Sequence, residues 1–139
     1  MAPLGEKKDQ TAEDDAARKM FDWVNNAPPA ELAAELMAAY GPEAPSGGNY
    51  IGEGRLVEWL FRGYYPNPGY RQRVKLLEYA TQLRRPIGEA LQLLRHAELV
   101  FESSYGSGPP DCSATRLGLS TLANGKAAVR QRIKDRTGQ

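Results

Sequence analysis

The chain has 139 residues, 41% hydrophobic and 25% charged, which is enough for one core, too short for two ordinary domains and unlike a disordered composition. No apolar stretch approaches bilayer-crossing length and Met1–Lys8 lacks the apolar run of a signal peptide, so no membrane association and a cytoplasmic location are expected. The net charge of +1 conceals a split: residues 1–54 hold four basic against ten acidic residues (−6), and residues 55–139 hold fourteen against seven (+7). Such a split suits a polyanionic partner for the basic part, or two halves that attract each other within the fold.

Residues 1–10 are polar and aperiodic and read as a disordered leader. From Thr11, which has the spacing of a capping box with Asp14, a helix carries Ala17, Met20, Phe21 and Val24 on one face. Pro28-Pro29 ends it and opens a second helix with Leu32, Ala33, Leu36, Met37 and Tyr40 along one stripe, stopping at Gly41-Pro42. Residues 41–54 are rich in Gly and Pro and read as a linker, so that 11–54 forms an acidic helical extension. A third helix holds Leu56, Val57, Leu60, Phe61 and Tyr64 and closes at Gly63-Pro66.

Two basic helices follow at about Tyr70–Gln82, with Val74, Leu77 and Ala80 as its apolar face, and Pro86–Ala97, separated by three or four residues. Short apolar stretches at Leu99–Phe101 and Thr115–Leu119 flank a Ser/Gly/Pro-rich loop and suggest strand, loop and strand. A last helix starts near Ser120 or Thr121 and runs through Ala127, Val129 and Ile133 to about residue 135, with 136–139 as a tail.

The segment 76–100 is the most informative. Two short helices joined by a tight turn form a helix-turn-helix, and the second, burying Ile87, Ala90, Leu91 and Leu94, presents Gly88, Glu89, Gln92 and Arg95 outward toward a major groove. Over residues 55–135 this resembles the winged-helix transcription regulators of the MarR, PadR and ArsR type. Ile87, Leu91, Leu94, Ala97, Leu99 and Val100 follow the spacing of their recognition helix, and 119–125 resembles the stretch before their closing helix. The departures are Gln82 and Glu78 at small-residue positions and Glu98 where glycine is usual, a place that often needs positive φ.

The resemblance implies a mainly α, winged helix-turn-helix-like domain with a β-hairpin wing over Val100–Leu119, its tip at Gly106–Pro110, and an N-terminal helical extension. It implies double-stranded DNA as partner and a homodimer through the N-terminal helices. Arg84 and Arg85 at the turn and Arg71, Arg73 and Lys75 before it stand where phosphates are contacted, and cations at helix starts oppose the dipole unless an anion is present. Arg71, Arg73, Arg84, Arg85, Glu89, Gln92, Arg95 and Arg116 form the candidate DNA-binding set. The alternatives are a plain helical bundle acting as a protein-binding adaptor through residues 11–64, and RNA or ribosome association through the basic part.

Nothing argues for an enzyme. The Gly-rich stretch 47–54 lacks a phosphate-loop lysine, Asp14-Asp15 and Glu53/Glu58 have no second catalytic group, and His96 reads as a packed or surface residue. Cys112, the only cysteine, excludes an internal disulfide, and with His96 the only histidine it excludes a closed Cys/His zinc site. It reads as lying in a polar loop where Asp111 disfavours a thiolate, and no metal or cofactor is expected.

Overall fold

The computed structural model describes residues 4–44, 51–103 and 111–139, with side chains over 12–44, 51–102 and 111–139. Among these residues the chain is mainly helical with one two-stranded antiparallel sheet. Its elements are α1 (Leu4–Asn26), α2 (Pro29–Met37, extended by a 3-10 turn Ala38–Tyr40), α3 (Glu53–Leu60), α4 (Tyr70–Gln82) and α5 (Arg84–His96). They are followed by β1 (Val100–Ser103), β2 (Asp111–Ala114), α6 (Arg116–Ala123) and α7 (Lys126–Thr137).

α2 occupies the centre. It starts as the sequence suggests, with Pro29 in its first turn, but it buries Ala30, Leu32, Ala33, Ala34, Leu36 and Met37, a wider arc than the expected stripe, with Glu31 and Glu35 on the remaining side. An apolar arc that wide takes more than one neighbour to cover, and α5 and α7 pack on it. One core runs from Ala17 of α1 to Ile133 of α7. Residues 11–54 are therefore no separate extension, and the expected boundary at 54/55 divides charge without dividing structure. With Ala17, Phe21, Val24, Leu32, Leu36 and Met37 all buried, the apolar faces assigned to a homodimer are spent inside the chain.

α1 begins at Leu4 instead of Thr11, so the expected disordered leader over 1–10 is helical from its fourth residue. The charge split is used internally: four of the eight ion pairs among the described residues cross it. They are Arg71–Asp14 (3.3 Å), Arg84–Glu53 (3.3 Å), Arg130–Glu31 (2.7 Å) and Lys126–Glu35.

Residues 45–50 of the expected linker lie outside the described residues, but its end is structured. Ile51 exchanges both backbone hydrogen bonds with Cys112 (2.7 and 3.1 Å), and Glu53 opens α3. β1 and β2 pair in the register Val100↔Ala114 to Ser103↔Asp111, and β1 packs on α5. A hairpin thus stands beside the helix at 84–96; its expected tip, Gly106–Pro110, lies outside the described residues. The second strand is 111–114 and not 115–119, because Thr115 caps a helix: its hydroxyl accepts from the Gly118 N–H at 2.9 Å. The closing helix expected from Ser120 is consequently two helices, broken at Asn124-Gly125.

Two backbone positions fix how the hairpin joins the helices. Glu98 has φ of 63°, alone among the described non-glycine residues. Its N–H donates to the Arg95 carbonyl and the Leu99 N–H to the Leu94 carbonyl, both at 2.9 Å, which is a Schellman stop for α5. The expectation of positive φ here is met without glycine. At Gly118 a Cβ would lie 2.0 Å from the Leu99 carbonyl oxygen, so only glycine lets α6 approach the start of β1.

α3 stops at Leu60, short of the Tyr64 the sequence suggested, and buries Leu56, Val57 and Leu60. Beyond it Phe61 meets Tyr79 of α4 with ring centroids 4.9 Å apart, and Tyr79 meets Phe21 of α1 at the same separation. Tyr65 donates its hydroxyl to Asp14 at 2.6 Å.

Candidate nucleic-acid interface

α4 and α5 do not form the expected turn of three or four residues. A single residue, Leu83, joins them, fully buried and at φ −97°, ψ 8°. Its N–H donates to the Tyr79 carbonyl and its own carbonyl accepts from Ile87, so Leu83 ends one helix and starts the next. α5 begins at Arg84, two residues before Pro86, and its tightest packing is against α2, not α4.

The outward face of α5 agrees with the sequence. Ile87, Ala90, Leu93 and Leu94 are buried, Leu91 is half-buried, and Gly88, Glu89, Gln92 and Arg95 are exposed with Arg84, Arg85 and His96. Most of the polar groups on this face are engaged with protein. Arg84 pairs with Glu53, and Arg95 with Glu102 of β1 at 2.8 Å. Gln92 lies 2.9 Å from His96 Nε2. Arg85 makes no ion pair among the described residues; it borders a shallow depression with Asn25 and Glu89.

The remaining candidates are dispersed. Arg71 is held by Asp14, and Arg73 Nε donates to the Pro68 carbonyl at 3.2 Å. Arg116 is exposed at the first turn of α6 and forms no ion pair among the described residues. The eight residues therefore do not converge on one cluster. Arg84, Glu89, Gln92 and Arg95 share α5 with Arg85, while Arg71 and Arg73 begin α4 and Arg116 follows the hairpin.

A cleft of about 520 Å³ lies along one flank of α5, between α4, the start of α3 and the hairpin. Leu77, Ala80, Leu91 and Ile51 give it apolar walls, and Arg84 and Arg95 face Glu53, Glu102 and Asp111 across it. Two arginines against three carboxylates leave this flank unsuited to phosphate. Cys112 also borders it, buried on β2 and not in a polar loop. Burial first, then Glu102 and Asp111, push its thiol above the usual range against the pull of Arg95.

Sequence reasoning missed two features. α4 buries Leu76 and Tyr79 instead of the expected Val74, Leu77 and Ala80, so that Tyr70 (86% exposed), Val74 and Leu77 (67%) are exposed apolar side chains and Ala80 is half-buried. Arg55, Trp59 and Arg62, spaced i, i+4, i+7 along α3 and its end, border a second cleft with Arg73. No group of His, Cys, Asp or Glu among the described residues is arranged to hold a metal ion, and no helix there is long and apolar enough to cross a membrane.

Comparison with protein-family models, with curated proteins and with solved structures yields no match to this chain.

Proposed function

We propose that the chain is a non-enzymatic DNA-binding protein of winged-helix type, reading duplex DNA with the exposed face of α5 while the hairpin lies along the backbone. The observation that carries this reading is the pairing of an exposed polar helix face with a hairpin packed directly beside it. Support also comes from chain order: helix α2, a strand-like contact at Ile51 on the outer edge of β2, two further helices, α5, then the hairpin. Gly88 and Gln92 offer the centre of the face to base edges, and Arg85 and Arg116 carry the unpaired charge for phosphates. Arg84 and Arg95 would have to exchange a carboxylate for a phosphate, so they contribute less than their charge suggests.

The test is a gel shift against genomic fragments at two salt concentrations. Binding should weaken steeply with salt, and Arg85→Ala with Arg116→Ala should weaken it at least about tenfold. Binding that is absent at low salt, or unchanged in the double variant, removes the reading.

One observation favours a second reading, a protein-interaction module: the exposed Tyr70, Val74 and Leu77 on α4. It predicts DNA affinity no higher than background at moderate salt, and association with a protein partner that Leu77→Ser abolishes.

A further inference from the structure

Three arginines that carry no ion pair among the described residues lie together, away from α5. Arg55, Arg62 and Arg73 border a cleft of about 210 Å³ in which Glu58 is the one carboxylate. None of the three arginines lies within ion-pair distance of any carboxylate among the described residues. The larger cleft beside α5 holds the opposite balance, its arginines outnumbered by carboxylates.

Two of these guanidinium groups are oriented by the protein. Arg62 lies over the Trp59 indole, 3.6 Å from the ring centroid, with one nitrogen donating to the Trp59 carbonyl at 2.7 Å. Arg73 is steered by its Nε bond to Pro68, which leaves its two terminal nitrogens for other acceptors. The rest of the lining is mainly apolar: Ile51, Trp59, Tyr65, Pro66, Pro68 and Leu76. An apolar slot with a few convergent polar groups is the usual form of a small-molecule site, and this one is smaller than the roughly 300–1,000 Å³ that drug-sized ligands occupy. A planar guanidinium fork matches a carboxylate in two parallel hydrogen bonds.

We infer that this cleft binds a small aromatic carboxylate, its ring against Trp59, Pro66 and Leu76 and its carboxylate shared by Arg55 and Arg73, with Arg62 adding charge at the rim. The inference is independent of the DNA-binding reading. A ligand of this size in an open cleft should bind with Kd of roughly 0.1–1 mM.

The test uses the full chain carrying Trp23→Phe, so that Trp59 is the only tryptophan, and titrates 1-naphthoate against 1-naphthamide, which has the same shape without the charge. The carboxylate should change the indole emission saturably and the amide should bind at least about tenfold more weakly. Arg55→Gln with Arg73→Gln should weaken naphthoate binding to a similar degree while leaving the melting temperature in place, because neither side chain is buried. Inorganic phosphate at equal concentration should fail to displace it. Amide binding equal to that of the acid, no saturable signal up to several Kd, or displacement by phosphate would each overturn the assignment. Should the double variant unfold, the acid and amide pair on the Trp23→Phe chain still decides.

Discussion

Arg130 of the last helix donates to Glu31 of the central helix at 2.7 Å, and one turn along each helix Lys126 meets Glu35. The paired spacing, 31 and 35 against 130 and 126, means that α2 and α7 run antiparallel with charge ladders in register. The hydrogen bond from Arg130 holds the Glu31 carboxyl below its ordinary value, outweighing burial. Lowered in the folded state, this group contributes stability that is present above the ordinary carboxylate range and is lost as pH falls through the folded value. Both partners are part-exposed, so a double-mutant cycle on Glu31→Gln and Arg130→Gln should give a coupling of about 0.2–1 kcal/mol that shrinks with salt. The Glu31→Gln chain should show a shallower loss of melting temperature between pH 5 and pH 3 in parallel thermal scans.

The place of α2 in the core has a larger consequence. Residues 55–139 alone lack the helix that α5 and α7 pack on, and residues 1–54 alone lack what covers it. Neither fragment should show a cooperative thermal transition by circular dichroism, whereas the two mixed should regain helical signal. A natively folded 55–139 fragment would mean that the acidic part is an appendage after all.

Tyr40 is 0% exposed, and its hydroxyl has no hydrogen-bond partner among the described residues. Burial, then Cys112 and Asp111, drive its ionisation far above the usual tyrosine range, so it is neutral at any working pH. An unsatisfied buried hydroxyl costs desolvation without return. Tyr40→Phe should therefore be neutral or stabilising by up to about 1 kcal/mol in urea denaturation.

Gly118→Ala tests the junction of hairpin and α6. The new methyl would meet backbone, not a movable side chain, at the Leu99 carbonyl. Destabilisation by about 1–3 kcal/mol is expected, with shifts spreading through residues 99–118 in an amide correlation spectrum.

Glu98 offers the opposite case. Glycine would relieve its left-handed backbone but give up the contacts of its carboxylate with Arg136 and Arg132. Glu98→Gly should be at least as stable as the wild type, and Glu98→Val less stable than either by at least about 1 kcal/mol, read from melting curves.

The helices and the polar face of α5 were legible because their apolar residues recur at helical spacing between clear breakers. The central position of α2 was not: Ala30 and Ala34 lie outside the stripe that the spacing marks, and only the packing of α5 and α7 makes them core. Thr115-Arg116-Leu117-Gly118-Leu119 alternates like a strand, and what decides for helix is the Thr115 cap together with the close approach at Gly118, a tertiary matter. The arginines divided the same way. Arg71, Arg84 and Arg95 looked free in a linear count, yet each is matched by an acid between 7 and 57 residues away. Arg55 and Arg62, which attracted no notice, are among those left unmatched.

Leu83 gives α4 and α5 one shared pivot instead of a flexible turn. Two helices of thirteen residues each meet at a buried bend tied by two backbone hydrogen bonds, from Leu83 to Tyr79 and from Ile87 to Leu83. The exposed Tyr70, Val74 and Leu77 therefore stand on one arm of a buried bend and the exposed Arg85, Gly88 and Gln92 on the other.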